Sequence, residues 1–451
     1  MIKLTDNPKE RLIIALDFNS MGEAVKLIDE LGDEAMFYKV GLELFLYTKG
    51  EIIEYLASKN KKVFLDLKFH DIPNTTAMAS IFAAKQNIFM FNVHTSGGKK
   101  MMEKTVEEIK KLNKDNLIIG VTILTSLSEN DVKNIFSSNL ALTDLAVNWA
   151  KLGKEAGLDG VVCSPKEAKI IKKECGENFR TVCPGVRPKW AGTDDQERIM
   201  TPKEAIENGC DYLVVGRPIT RSEDRVKACK MIAEEIAEGI ANNKKLKAKL
   251  ISEVLLETQA VKINVKEPFT FVSGIKSPIY CDNRYVIGFP KARQIIVDAF
   301  VNLLKDKEFD IIAGTATAGI PWASFIAYEL GKPLCYIRTE KKEHGRGRQI
   351  EGAECENKKL ILIEDLISTG GSSIKTFEAA KNEGAEVLEI ISIFSYEFEK
   401  AYKNFEEAGI KFSSLSNFSS LMETAKDEKY ITEEELSKAL EWNKNPDYWG
   451  K

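Results

Sequence analysis

At 451 residues, with 44% hydrophobic and 29% charged side chains and a formal net charge of −4, the chain has the make-up of two or three globular domains. That balance excludes a general binder of nucleic acid or of membrane surfaces. Eight cysteines without a C-x-x-C pair, and three dispersed histidines (His70, His94, His344), exclude a disulfide framework and a His-based metal site.

Charges interrupt the opening MIKLTDNPKERLIIALDF where an export signal needs its apolar core. The longest uncharged stretch, Ile311 to Tyr328, contains Gly314, Gly319 and Pro321 and makes a poor membrane span. A cytoplasmic enzyme is expected. Eight strand-like runs precede residue 220: Leu12–Phe18, Met36–Gly41, Lys62–Phe69, Met90–Thr95, Leu117–Thr125, Gly160–Ser164, Arg180–Val186 and Tyr212–Gly216. Helix-capable segments separate them, such as Met21–Leu31, Gly50–Ser58, Asn74–Lys85 and Leu142–Ala156. This alternation predicts a (β/α)8 TIM barrel. An open doubly wound sheet would more often bring a Gly-rich turn after the first strand, and the sequence there is ALDFNSMGEA.

The third run is the most chemical. VFLDLKFHDIPNT starts apolar and then carries Asp66, Lys68 and Asp71. Strand alternation points Asp66 and Lys68 the same way. Opposite charges inside a barrel cost several kcal/mol unless paired and hydrogen-bonded. A strand-end salt bridge is the plainer reading, and the other strand ends decide against it. They supply Asp17, Lys39, His94, Thr125 with Ser126, the PGVR segment (Pro184 to Arg187), and Gly216 with Arg217. Polar groups converging on the carboxyl rim of a barrel define a site. His94 reads more simply as a satisfied strand-end histidine. Gln196 reads equally as a solvated loop residue or a ligand contact, and the Gly216–Arg217 pair suits a phosphate better than Arg217 suits a mere helix cap.

A helix is predicted over Ser222 to Ala241. The Asn- and Lys-rich ANNKKLKAKL then makes a short connection, with the boundary near Asn243. In the second half, KLILIE (Lys359–Glu364) is an apolar run ending in the acidic pair Glu364–Asp365. LISTGGSS and a helix-like stretch follow. Strand, small-residue loop and helix are the geometry for seating a phosphate on free backbone N–H groups. The basic, Gly-containing segment RTEKKEHGRGRQIEG (Arg338 to Gly352) is most simply a solvated loop, and beside a phosphate site it also reads as a mobile lid that neutralises pyrophosphate. FTFVSGIKSPIYCDNR (Phe269 to Arg284) reads as a cover for a base.

The first half resembles the orotidine 5'-phosphate decarboxylases through its ALD strand, D-x-K-x-x-D-I signature, P-G-V-R strand end and V-V-G-R-P-I segment. The resemblance implies a decarboxylase barrel at residues 1–242 that needs no cofactor. Lys39, Asp66, Lys68 and Asp71 would form its alternating charged network, Asp71 being lent by a neighbouring subunit. Lys68 would be the proton donor. Asp17 and Lys39 would bind ribose, with Thr75 reaching across from the partner. Thr125 and Ser126 would face the pyrimidine, and Gln196 and Arg217 the phosphate. Ile72, Pro184, Arg187 and Gly216 complete the implied substrate-binding set.

The second half resembles orotate phosphoribosyltransferase through F-T-x-x-S-G-x-K-S-P, G-T-A-T-A-G-I (Gly314 to Ile320), R-x-x-x-K-x-H-G and the acidic pair with its loop. This implies a type I phosphoribosyltransferase α/β domain with a parallel sheet at 246–451. Glu364 and Asp365 would contact the ribose of phosphoribosyl pyrophosphate. Ser368, Thr369, Gly370, Gly371 and Ser372 would cradle its 5'-phosphate. Arg338, Lys342 and His344 would meet the pyrophosphate, with Lys342 and His344 in the catalytic set and Lys276 binding substrate. Mg2+ would arrive on the pyrophosphate. Val272, Ala318 and Thr339 stand where some relatives carry lysines.

Together the two resemblances imply that orotate and phosphoribosyl pyrophosphate give orotidine 5'-phosphate, which is then decarboxylated to uridine 5'-monophosphate. They also imply a homo-oligomer, dimeric or larger, with no nucleic-acid or membrane partner. A phosphoribosyl-pyrophosphate sensor in the second half and a related sugar-phosphate decarboxylase or aldolase in the first are the competing readings. No chemistry is assigned to Phe405–Lys451, for which packing against the transferase core is the plain reading.

Overall fold

Eight parallel strands close into a barrel: β1 (Leu12–Leu16), β2 (Phe37–Gly41), β3 (Lys62–Phe69), β4 (Met90–His94), β5 (Leu117–Val121), β6 (Gly160–Val162), β7 (Arg180–Pro184) and β8 (Tyr212–Val215). The computed structural model describes residues 4–86, 88–112, 115–191, 200–270, 276–305, 307–338, 349–446 and 449. Most predicted runs overshoot at their carboxyl ends. Pairing stops with His94 opposite Val121 and Val121 opposite Val162, so Thr125 and Ser126 belong to the loop after β5.

Alternation sorts the barrel's side chains. Leu12, Ile14, Leu16, Tyr38, Val40, Val63, Leu65, Phe91 and Val93 join the large cluster under the helices. Ile13, Ala15, Phe37, Phe64, Met90, Leu117, Ile119, Val182, Tyr212 and Val214 form a separate cluster, the apolar filling of the barrel. Two residues further along β1 to β4, in the same inward register, stand Asp17, Lys39, Asp66 and Asn92. An apolar floor thus carries a polar layer at the end where barrel sites form.

The chain divides into two compact units, 1–243 and 244–451. The helix predicted to stop at Ala241 instead runs from Arg225 to Glu257. The Asn- and Lys-rich stretch contains Ala, Leu and Lys but neither Gly nor Pro, so nothing in it ends a helix.

In the second unit a six-stranded sheet has the order β15-β14-β13-β16-β17-β18. Its strands are β13 (Ile311–Thr315), β14 (Leu334–Ile337), β15 (Ile350–Gly352), β16 (Lys359–Ile367), β17 (Glu386–Ser395) and β18 (Phe412–Asn417). Five strands are parallel, but the edge strand β15 runs antiparallel to β14, so the sheet is mixed. An antiparallel neighbour needs no crossover helix, and β15 follows β14 without one among the described residues. Four short strands lie outside this sheet: β9 (Val261–Ile263) with β12 (Ile279–Cys281), and β10 (Phe269–Thr270) with β11 (Lys276–Ser277).

The strand order reverses between β13 and β16, and such a switch point is where open α/β sheets bind ligands. The helix Gly319–Leu330 starts there, pressed onto β16. A Cβ on Gly319 would stand 2.3 Å from the carbonyl oxygen of Ile363. Gly319→Ala is expected to destabilise this unit by about 1–3 kcal/mol, read as a shift in its denaturation midpoint.

The closing segment, left without chemistry by its sequence, packs as the plain reading has it. The helix Glu433–Lys444 buries Trp442 completely against Tyr396, Phe398 and Phe418. The Trp442 indole N–H donates to the carbonyl of Lys276 at 2.8 Å, tying β11 to this helix.

Candidate active sites

In the barrel, four side chains make one chain of alternating charge. The Lys39 ammonium lies 3.0 Å from Asp17 Oδ1 and 3.4 Å from Asp66 Oδ2. The Lys68 ammonium lies 2.7 Å from Asp66 Oδ1. Lys39 and Asp66 are nearly buried, whereas Lys68 is 37% and Asp17 66% exposed. Each inner charge therefore has an opposite partner, as burial in low dielectric demands.

Simple alternation does not deliver Lys68. The pairing of β3 with β4 slips between Leu65 and Phe69, and Lys68 adopts φ +52°. A left-handed lysine costs about 1–2 kcal/mol. Its N–H is held by Asn92 Oδ1 at 2.8 Å, while Asn92 Nδ2 donates to Asp66 Oδ1 at 2.6 Å. Asn92 was absent from the sequence-derived set. Its inward register, between Met90 and His94 on β4, was the available signal.

A cavity of about 200 Å³, open to solvent, is lined by Lys39, Asp66, Lys68, Thr125, Pro184 and the apolar Phe64, Val121, Ile123, Leu124, Val162 and Val214. It suits a flat, partly polar ring on an apolar floor. Gly216 brings the end of β8 against Asp17, whose Oδ2 would lie 3.6 Å from a Cβ there. Arg217 opens a four-residue helix and is exposed. Arg187 is half-buried and its N–H donates to the Met200 carbonyl. Ser126 is exposed in the loop after β5. Gln196 lies outside the described residues.

Asp71, Ile72 and Thr75 are exposed beyond β3. The Asp71 carboxylate accepts the N–H of Ile72, and its own N–H donates to Thr76 Oγ1. Within one chain Asp71 thus stands apart from the Lys39–Asp66–Lys68 cluster. The His94 ring packs 5.2 Å from that of His70. Burial first, then His70 and Lys68, push its pKa down to about 4, so it is neutral at pH 7. That is a packed strand-end histidine.

In the second unit, Glu364 and Asp365 lie on β16, beside the switch point. Glu364 Oε2 accepts from Ser373 Oγ at 3.1 Å and its Oε1 from the Asp365 N–H at 3.2 Å. Asn283, fully buried, donates from Nδ2 to the Asp365 carbonyl at 2.7 Å. Arg284, paired through two contacts with Asp282, adds positive potential near Asp365. Burial, followed by repulsion from Asp365, raises the Glu364 pKa to about 8, and burial raises that of Asp365 as well.

The folded state therefore holds a proton on Glu364 that the unfolded chain releases near its ordinary value of 4.5. This contribution to stability is full below about pH 4.5 and is lost as pH rises towards about 8. Glu364→Gln is expected to flatten that slope, measured as the difference between the two proteins' denaturation midpoints across pH.

After β16, Ser368 and Thr369 lead to Gly370 at φ +80°, where a Cβ would come within 2.6 Å of the Phe405 ring. Only glycine fits that turn. Gly371 begins the helix Gly371–Asn382, with Ser372 exposed in its first turn. First-turn N–H groups lack intrahelical acceptors and face an anion readily. The Asn404 amide donates to the Thr369 carbonyl and fixes the loop from behind. Lys276 is exposed on β11. Arg338 is held by Glu351, at 3.1 Å. Lys342 and His344, with Val272 and Thr339, lie outside the described residues.

Barrel and switched sheet define a lyase-type site and a phosphate-seating transferase site on one polypeptide. A family model for the orotidine 5'-phosphate decarboxylase / HUMPS family matches residues 10–232, and one for the phosphoribosyl transferase domain matches residues 289–419. An orotidine 5'-phosphate decarboxylase of Saccharophagus degradans is 44% identical over 232 residues, 51% of this chain and 97% of that protein. An orotate phosphoribosyltransferase of Listeria innocua is 49% identical over 205 residues, 45% of this chain and 98% of that protein. The structure of Leishmania donovani UMP synthase covers 96% of this chain and 97% of its own, with TM-score 0.55 and 20% identity, a likeness of fold. The chain belongs to the orotidine 5'-phosphate decarboxylase family through its first half and to the orotate phosphoribosyltransferase family through its second. It is an enzyme of pyrimidine nucleotide synthesis, both a glycosyltransferase and a lyase.

Proposed function

We propose that the two sites run consecutive steps from orotate to uridine 5'-monophosphate, with Lys68 as the proton donor of the second. The single observation that carries this reading is the Lys39–Asp66–Lys68 ion chain on an apolar floor beside a ring-sized cavity. Loss of CO2 from C6 of the pyrimidine leaves a localised carbanion. An ammonium already held by a carboxylate stabilises that charge without reorganising, and then gives it a proton. Asp66 holds the Lys68 ammonium in place. Asp17 and Lys39 bind the ribose, Thr125, Ser126 and Pro184 border the base, and Arg187, Gln196, Gly216 and Arg217 form the phosphate end. No cofactor is required for this step.

In the other unit Glu364 and Asp365 accept hydrogen bonds from the ribose hydroxyls of phosphoribosyl pyrophosphate, and Ser368 to Ser372 seat its 5'-phosphate. Lys276 contacts orotate. Arg338, Lys342 and His344 neutralise the departing pyrophosphate. Mg2+ comes in with the pyrophosphate as part of the substrate and supplies further neutralisation. The protein's share is to hold C1 of the ribose against a ring nitrogen of orotate.

Dimerisation completes the barrel site by bringing Asp71, Ile72 and Thr75 of a neighbouring copy to it. In support, Leu42, Leu46, Tyr47, Ile72, Met78 and Phe82, around the ends of β2 and β3, are all about half exposed or more. A patch of that kind marks an interface. The eight cysteines are all free thiols, which favours the reducing cytoplasm. Among the described residues no helix is long and apolar enough to cross a membrane.

The test is a product assay with orotate, phosphoribosyl pyrophosphate and Mg2+, separating nucleotides by chromatography. Uridine 5'-monophosphate is the expected product. Accumulated orotidine 5'-phosphate would overturn the barrel assignment, and unconsumed orotate the transferase one.

A further inference from the structure

We infer that Asn92 is a positioning residue of the decarboxylation step, setting both the backbone of Lys68 and the free direction of Asp66. The inference rests on the reading of Lys68 as proton donor.

Asn92 is fully buried on β4, and both ends of its amide are used on the ion chain. Its oxygen accepts the Lys68 N–H at the residue where β3 leaves regular pairing and takes φ +52°. A left-handed lysine persists only where its surroundings hold it, and this bond is one such restraint. The amide nitrogen donates to Asp66 Oδ1, the same oxygen that receives the Lys68 ammonium at 2.7 Å. Asp66 Oδ2 faces Lys39. The carboxylate is therefore held on one side by a neutral donor and on two others by ammonium groups. Asn92 thus pins the Lys68 backbone at the point from which its side chain reaches Asp66. A buried amide spent on filling space alone would leave polar atoms unsatisfied, at about 1–3 kcal/mol each.

The residue is not among those lining the cavity. Its loss should act on turnover through Lys68 and leave substrate binding nearly intact. Asn92→Ala removes both bonds. Asn92→Asp keeps the acceptor for the Lys68 N–H and sets a second carboxyl group against Asp66. Two adjacent carboxyl groups share a proton, which must leave before Asp66 can hold Lys68.

The experiment measures decarboxylation of orotidine 5'-phosphate by the full chain carrying each variant. Product binding shows whether the barrel is folded. The expected result is a fall in kcat of about 10²-fold for Asn92→Ala with KM changed only a few-fold. For Asn92→Asp the rising limb of the kcat–pH profile should move to higher pH. Folded variants with unchanged kcat and pH profile overturn the inference. So does loss of product binding in both variants, which makes Asn92 a residue of the fold alone. Lys68→Ala, run alongside, separates the two claims. If it still decarboxylates, the proton-donor reading fails. If it is inactive while the Asn92 variants are normal, only the present inference fails.

Discussion

Lys68→Ala is expected to lower decarboxylation by at least about 10⁴-fold while leaving the transferase step of the same polypeptide at its normal rate. Two effects combine. General acid catalysis contributes on the order of 10²–10⁴-fold. A pre-placed charge at the centre where the carbanion develops contributes about 10²–10³-fold more. Folding should survive, because Lys68 is more than one-third exposed and alanine relieves a long side chain of its fixed position. The substitution does leave Asp66 with Lys39 as its ion-pair partner, so substrate binding is to be measured together with turnover. Substantial decarboxylation by this variant would refute the proton-donor assignment.

Asp365→Asn is the mirror experiment. It should lower the transferase kcat/KM by about 10²-fold and leave decarboxylation of added orotidine 5'-phosphate untouched. Displacement at C1 leaves the ribose ring short of electrons as pyrophosphate departs. A carboxylate beside the ring stabilises that state, and a neutral amide of the same shape does not. The backbone carbonyl of Asp365 keeps its bond to Asn283 in the variant, so the local fold is retained. Loss of both activities together would show instead that the two steps are coupled or the chain misfolded.

Much of this was legible in the sequence because strands and their rims are local signals. β3 begins and ends where the strand-like run does, at Lys62 and Phe69. Asp17, Lys39 and Asp66 read as strand-end residues converging on one rim, and they stand in one layer. The left-handed backbone at Lys68 was not legible, because it depends on Asn92, 24 residues further on. Nor was the antiparallel edge strand β15, three residues long and too short for a period to show. The long helix Arg225–Glu257 was cut short because a run of Asn and Lys looks like a connector, yet these residues are tolerated wherever a helix presents a wet face. Trp442 gave no sign of its part in holding β11, since that contact joins residues 166 apart. Asp71 reads with the cluster from its signature, whereas within one chain its carboxylate accepts the Ile72 N–H and stands apart from Lys39, Asp66 and Lys68.

The apolar filling beneath the polar layer has a consequence for how the barrel site senses its ligand. Phe64 and Val214 line the cavity and belong to the same apolar filling as Met90 and Ile119, so the charged row stands on an apolar floor. A flat base laid on that floor would displace water from the charged row, and the interaction between Lys68 and a charge on the base would then grow several-fold as the effective dielectric falls.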